Sequence, residues 1–283
     1  MKIINNTREI QNEIINLKLK GKNIGFVPTM GALHEGHLSL IRASRKENDI
    51  VVVSIFVNPK QFGPNEDYSK YPRTHQEDIR LCENESVDFL FLPEENSFYT
   101  PDHLTYVEVE KLSNLHCGKS RPGHFRGVTT VVLKLFNIVQ PDQAYFGKKD
   151  FQQFIIIKKM VEDLSFPINI VGCPIVRDTD GLALSSRNKY LNSEERKVAL
   201  NLSQSLSLAK EKILNNVVEP FTIYDLINKK LSSNPLLKID YIAIVDDRYL
   251  KDVEIIDKNT VILVACFVGK TRLIDNLHCS DFL

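Results

Sequence analysis

His34 and His37 stand three residues apart in the segment Pro28-Thr29-Met30-Gly31-Ala32-Leu33-His34-Glu35-Gly36-His37. A short apolar run, Ile24 to Val27, precedes it and stops at Pro28; residues of helical spacing, Leu38 to Lys46, follow. The segment therefore reads as the turn between a strand and a helix. Ligands of open α/β sheets bind outside the carboxyl ends of strands, where a helix N-terminus offers backbone N–H groups and a positive dipole end to an anion. Gly31 and Gly36 let the backbone approach a phosphate closely. Two imidazoles on one side of the first helical turn suit a triphosphate whose charge rises at the α-phosphate. The plainer alternative is a turn with two solvated histidines. A zinc protease needs histidines four apart in HExxH spacing, which His-Glu-Gly-His does not provide. No GxGxxG occurs, and Gly118-Lys119-Ser120 and Gly269-Lys270-Thr271 lack the upstream glycine of a P-loop.

Four further groups could share such a site. Asn58 and Gln61, in Phe56-Val57-Asn58-Pro59-Lys60-Gln61-Phe62, are neutral amides at another strand's carboxyl end. Neutral amides suit hydroxyls and a carboxylate that must stay nucleophilic, because a full positive charge would bind it too well in the ground state; an ordinary Asn-Pro turn is the alternative. Arg121, His124 and Arg126 sit among glycines and read equally as a mobile basic loop over a phosphate or as a surface loop. Lys149 can place a compact positive charge on phosphates, and Gln153 follows one helical turn later. A solvated helix start capped by Asp150 is the other reading. Ser185, Ser186 and Arg187 offer two hydroxyls and a guanidinium fork; alone they read as a turn, but their place near a domain junction makes a phosphate clamp plausible.

These residues need a scaffold that brings strand ends together. Ile50 to Val57 is a near-continuous β-branched run, the pattern of a strand buried on both faces of a parallel sheet. Asp88 to Leu92, Gln143 to Phe146 and Ile168 to Val171 read as further strands. Helices are predicted over Arg73 to Glu83, Gly127 to Val139 and Asp150 to Leu164. The alternation implies βαβ units and a Rossmann-like open parallel sheet, an α/β fold, over residues 1–175. Beyond about residue 176 the pattern changes. A helix from near Asn192 to Asn215, with Asn192 or Ser193 as N-cap, has Glu195 placed for a capping box, and a second lies near Thr222 to Leu231. Strands follow at Ile239 to Val245, Val261 to Phe267 and Thr271 to Ile274, so residues 176–283 are expected to form a smaller C-terminal α+β domain with an antiparallel sheet.

The bulk properties agree with a globular enzyme and exclude other classes. Of 283 residues, 43% are hydrophobic and 25% charged, against disorder. Lys plus Arg equals Asp plus Glu at 36 each, so nothing electrostatic argues for nucleic acid or a membrane surface. Five cysteines without a CxxC pair suggest neither disulfides nor zinc. No signal-like start or spanning apolar run is visible, so a cytoplasmic location is expected.

Taken in order, PTMGALHEGH, FVNPKQF, YPRT, RPGHFRGV, YFGKKDFQQ, LSSRN and TRLIDN, spread from residue 28 to 276, resemble the motif blocks of the pantothenate synthetase (pantoate–β-alanine ligase) family. His-x-Gly-His after a strand is similar to the wider HIGH-type nucleotidyltransferase superfamily, which transfers AMP from ATP. The resemblance implies an ATP-dependent joining of pantoate to β-alanine that yields pantothenate, AMP and pyrophosphate. It implies that Met30, Gly31, Ala32, Leu33, His34, Glu35, Gly36 and His37 line the ATP site, with His37 as proton donor and His34 on the phosphates. Gly147, Lys148, Lys149, Asp150, Val176, Leu184, Ser185, Ser186 and Arg187 would complete it, Lys149 and Arg187 acting on the phosphates. Gln61 and Gln153 would hold pantoate, Asn58 assisting and Gln61 also touching β-alanine. A homodimer, magnesium-bound ATP and a C-terminal lid are likewise implied. The metal's ligands stay unassigned, Glu77 or Asp78 being conceivable. Two rivals remain at this point: an adenylyltransferase with a phosphate acceptor, which would want Arg or Lys at positions 58, 61 and 153, and a non-catalytic nucleotide sensor.

Overall fold

The computed structural model describes residues 1–64 and 66–283. In chain order its elements are β1 (Lys2–Ile4), α1 (Thr7–Leu19), β2 (Ile24–Thr29), α2 (Glu35–Glu47), β3 (Ile50–Ile55), α3 (His75–Asn84), β4 (Phe89–Phe91), α4 (Glu95–Phe98), α5 (His116–Ser120), α6 (His124–Val139), β5 (Gln143–Gly147), α7 (Phe151–Asp163) and β6 (Asn169–Cys173). There follow α8 (Ser193–Leu214), α9 (Pro220–Ser232), β7 (Leu237–Asp246), β8 (Thr260–Val268) and β9 (Thr271–His278). The chain groups into two compact units. One holds Met1–Ser113, Arg121–Lys148 and Ile156–Pro174; the other holds Asn114–Ser120, Lys149–Ile155 and Ile175–Leu283.

The first unit contains a six-stranded sheet in the order β1-β4-β3-β2-β5-β6, every pairing parallel. Its central strands β2 and β3 are buried on both faces, as the β-branched composition of β3 demands. Val51, Val53 and Ile55 join Val27, Leu38 and Ile41 in one core cluster. On the other face Phe26 meets Phe136 of α6 edge-on at 6.4 Å. Strand alternation accounts for the division. From β2 the chain steps outward through β3 and β4 to one side, then returns to place β5 and β6 on the other. The reversal at β2 and β5 is the switch point where open α/β sheets bind ligands, and their carboxyl ends are Thr29 and Gly147.

Two expectations about this sheet are corrected. Ile24 does not begin the first strand: β1 precedes it at the edge, and Asn6 caps α1 by accepting from the N–H groups of Arg8 and Glu9. Nor does Pro28 stop β2, which runs on to Thr29. Thr29 directs its carbonyl to β3, where the Phe56 N–H donates to it, so its neighbour Pro28 faces the β5 side. The β5 ladder has already ended there at Phe26 and Ala144. The missing proline N–H therefore costs no ladder bond.

In the second unit β7, β8 and β9 form an antiparallel meander in that order. Helices α8 and α9 pack on it through Val198, Leu202, Ile223 and Ile227 against Ile244, Ile262 and Val264. The capping box of Asn192 with Glu195 starts α8. Segments 114–120 and 149–155 belong to this unit, although they precede residue 176. Side-chain bonds tie them in: Ser120 Oγ donates to Asp240 (2.8 Å), Gln152 Oε1 accepts from the Cys117 N–H (3.1 Å), and the Phe151 ring stacks on His278.

Candidate active site

The turn after β2 is built on two left-handed residues. Gly31 has φ +80° and Ala32 φ +51°. The first is a glycine for good reason: a Cβ there would lie 2.9 Å from Ile55 and 3.0 Å from Asp78. The turn's N–H groups point inward. Gly31 N–H donates to Thr29 Oγ1 (3.1 Å), Ala32 N–H to Asp78 Oδ2 (3.0 Å) and Leu33 N–H to Asp78 Oδ1 (2.8 Å). Gly36 N–H donates to His34 Nδ1 (3.2 Å).

What the turn presents instead is side chains. His34 is the N-cap of α2, and His37 Nδ1 accepts from its backbone N–H at 3.3 Å. A backbone N–H can only donate, so Nδ1 of each imidazole carries no proton. Each ring is then the tautomer with its proton on Nε2, a hydrogen-bond donor. The two rings lie 4.1 Å apart, both half-buried. Glu35 is exposed and paired with Arg42. Gly147, at the end of β5, has open space where a Cβ would stand.

Gln61 faces the same turn, donating through Nε2 to Met30 Sδ at 3.1 Å. Asn58 lies behind it, 1% exposed. Its Nδ2 donates to Gln61 Oε1 (3.0 Å) and to the Gly127 carbonyl (3.1 Å), and its Oδ1 caps the turn Pro59–Gln61 by accepting from Lys60 N–H. Asn58 thus fixes which end of the Gln61 amide faces outward. Gly127 of α6 must be glycine, because a Cβ there would lie 2.2 Å from the Lys60 carbonyl oxygen.

His124, backed by Arg121, holds this turn rather than forming a loose basic loop. His124 Nδ1 donates to the Gln61 carbonyl at 2.8 Å. Arg121 donates to His124 Nε2 (2.9 Å) and, bidentately, to Glu66 at 2.6 and 2.7 Å. Burial pushes the Glu66 carboxyl upward, but the Arg121 guanidinium outweighs it and holds the group below its ordinary value. The Arg126 guanidinium covers the Tyr106 ring at 4.1 Å.

The second unit carries the other candidates. Lys149 has a side chain 17% exposed, its ammonium 3.8 Å from Asp150, and its carbonyl accepts from Asn276 Nδ2 at 2.9 Å. Gln153 is half-buried in α7. Val176 and Leu184 pair across a hairpin, Leu184 N–H donating to the Val176 carbonyl at 3.0 Å. The hairpin delivers Ser185, whose Oγ caps the turn Ser186–Tyr190 by accepting from Arg187 N–H. Asp275 anchors it from β9, holding Arg177 bidentately at 2.7 and 2.9 Å while 2% exposed. Asp275 and Asn276 lie in the TRLIDN block, whose role the sequence did not disclose. The signal was an acidic residue and an amide inside a strand otherwise fit for burial.

All five cysteines are free and buried, and burial pushes the thiols of Cys82, Cys266 and Cys279 up to about 12. Among the described residues no three His, Cys, Asp or Glu converge as a metal cage, and no helix is long and apolar enough to cross a membrane.

Comparison with known proteins gives a consistent result. The sequence model of the family "Pantoate-beta-alanine ligase" matches residues 2–278. A pantothenate synthetase of Sulfurihydrogenibium sp. (strain YO3AOP1) is 55% identical over 279 residues, covering 98% of this chain and 100% of the relative. One from Thermotoga petrophila is 55% identical over 276 residues, covering 98% and 99%. Among solved structures, pantothenate synthetase from Thermus thermophilus superposes with a TM-score of 0.93 at 42% identity, over 99% of both chains. A pantoate-beta-alanine ligase from Francisella tularensis, complexed with beta-gamma ATP and beta-alanine, gives 0.80 at 39% identity, over 99% of this chain and 98% of that one.

Proposed function

The chain belongs to the pantoate-beta-alanine ligase family, and we propose that it condenses (R)-pantoate with β-alanine at the expense of ATP, through a pantoyl adenylate. The products are pantothenate, AMP and pyrophosphate. The observation that carries this reading is the pair of imidazoles at the end of β2, each with Nδ1 engaged by a backbone N–H and Nε2 as donor. Beside them stands a neutral amide, Gln61, with no cation in its place.

In the first half-reaction a pantoate carboxylate oxygen attacks the α-phosphorus and the bond to pyrophosphate breaks. Charge crowds onto the phosphates, so the reaction needs donors aimed at them and no base. His37 donates to the α-phosphate and the departing pyrophosphate, and His34 to the phosphates beside it. Lys149, Ser185, Ser186 and Arg187 supply further donors and two positive charges. Gly147, Lys148, Asp150, Val176, Leu184 and the Met30–His37 segment line the nucleotide. Gln61 and Gln153 grip pantoate without neutralising its carboxylate, and Asn58 assists by orienting Gln61. In the second half-reaction the β-alanine amine, near Gln61, attacks the acyl carbon; AMP leaves and the nitrogen sheds its proton. The adenylate hydrolyses in water, so exclusion of water by the C-terminal unit is part of the proposal.

Magnesium would be carried on the phosphates of ATP, its usual manner of binding. A homodimer in the cytoplasm completes the reading, supported by the family resemblance and by unpaired, buried cysteines. The test is product analysis with ATP, pantoate and β-alanine. Pantothenate, AMP and pyrophosphate in equal amounts are expected; ADP and phosphate, or a dinucleotide, would overturn it.

A further inference from the structure

Asp78 has no place in the chemistry above, yet it is 1% exposed and touches the catalytic turn directly. Its two oxygens accept from the backbone N–H groups of Ala32 and Leu33 at 3.0 and 2.8 Å, and the Thr74 hydroxyl donates to Oδ2 at 3.2 Å. Both backbone donors lie at or just beyond the left-handed pair Gly31 and Ala32. A left-handed alanine persists only where its surroundings over-determine it. A carboxylate that takes two successive N–H groups does so, because releasing the turn would leave a buried charge without its donors. The turn leads without a break into His34, the N-cap of α2, whose N–H in turn sets His37.

We propose that Asp78 is a positioning residue for the adenylation step, locking the Gly31–Leu33 turn so that His34 and His37 both present Nε2–H. It acts through backbone, 46 residues away in sequence from Ala32, and is not a magnesium ligand. The inference rests on the roles given above to His34 and His37.

The test is Asp78→Asn, which keeps the shape but turns an N–H₂ toward a backbone N–H. Nitrogen-15 spectra of the labelled histidines should show His34 and His37 each protonated on Nε2 in the wild type, and mixed tautomers in the variant. Turnover should fall at least ~10-fold, the scale of a misplaced catalytic group, with the magnesium dependence unchanged. Thr74→Val, which spares both backbone bonds, should keep the wild-type spectrum. If Asp78→Asn does not fold, the same measurements are made on Asp78→Asn with Ala32→Gly, where glycine relieves the left-handed residue. An unchanged imidazole spectrum would overturn the proposal, and so would a raised magnesium requirement accompanying it. A wild-type protein that forms no pantothenate would instead count against the proposed function, while the spectra would still judge the positioning role.

Discussion

Gly127→Ala adds one methyl group on α6, behind the turn that carries Gln61. Ideal geometry would put that carbon 2.2 Å from the Lys60 carbonyl oxygen, 2.5 Å from its carbon and 2.7 Å from Gln61 Cα. All three are backbone atoms, so no side chain can swing aside. Restoring ordinary contact requires the turn Pro59–Gln61 to move by roughly 1 Å, and a shift of that size in a substrate-holding group can cost ~10²-fold in rate. Stability should change less. Overpacking costs about 1–3 kcal/mol, and alanine regains up to about 1 kcal/mol of helix propensity over glycine. The expected result is a folded enzyme, destabilised by about 0–2 kcal/mol in urea, with pantoate use (kcat/KM) reduced ~30- to 100-fold. Calorimetry should find ATP affinity near that of the wild type, because the His34–His37 segment is untouched. A destabilised variant that uses pantoate as well as the wild type would refute the claim that this turn places Gln61.

His37→Ala should fold normally and lose at least ~10²-fold in turnover, as when one donor aimed at developing charge is removed; near-normal turnover would remove His37 from the mechanism. Asp275→Asn should destabilise the chain by about 2–3 kcal/mol, at the low end for a broken buried pair because Arg177 keeps some water, and a change too small to detect by urea unfolding would deny the anchor its role. The Glu66 carboxyl, lowered on folding, contributes stability that is complete above its unfolded value of about 4 and is lost as pH falls through its folded value. Glu66→Gln should therefore lower Tm at neutral pH, with the gap to the wild type closing as pH drops below about 4; a gap independent of pH would assign the effect to something other than the ion pair.

What was legible in the sequence was local. The β-branched run of β3, the Asn192–Glu195 capping box and the strand–turn–helix around His34 each announce themselves within ten residues, and each stands where it was expected. β1 and α1 went unread because three strand residues and a half-exposed helix give a weak period. Pro28 misled because its cost depends on which neighbour its nitrogen faces, and that is set by β5, more than a hundred residues later. The same holds at the site. His34, His37 and Gln61 were visible as residue types suited to phosphate and carboxylate. Their supports were not: Asp78 and Gly127 act across 46 and 69 residues, and Asp275, which anchors the hairpin that carries Ser185, acts across 98. The inward direction of the Ala32 and Leu33 N–H groups follows from one of those distant partners, Asp78.

The central claim is that ATP and a carboxylate react before any amine arrives. Exchange of labelled pyrophosphate into ATP measures that step alone. With pantoate, ATP and magnesium, and with β-alanine wholly absent, the label should enter ATP, because the donors proposed at His34, His37, Lys149 and Arg187 and the neutral grip proposed for Gln61 and Gln153 would require no amine. Omitting pantoate should abolish the exchange. Label that enters ATP only once β-alanine is added would contradict the two-step account and require a concerted reaction in its place.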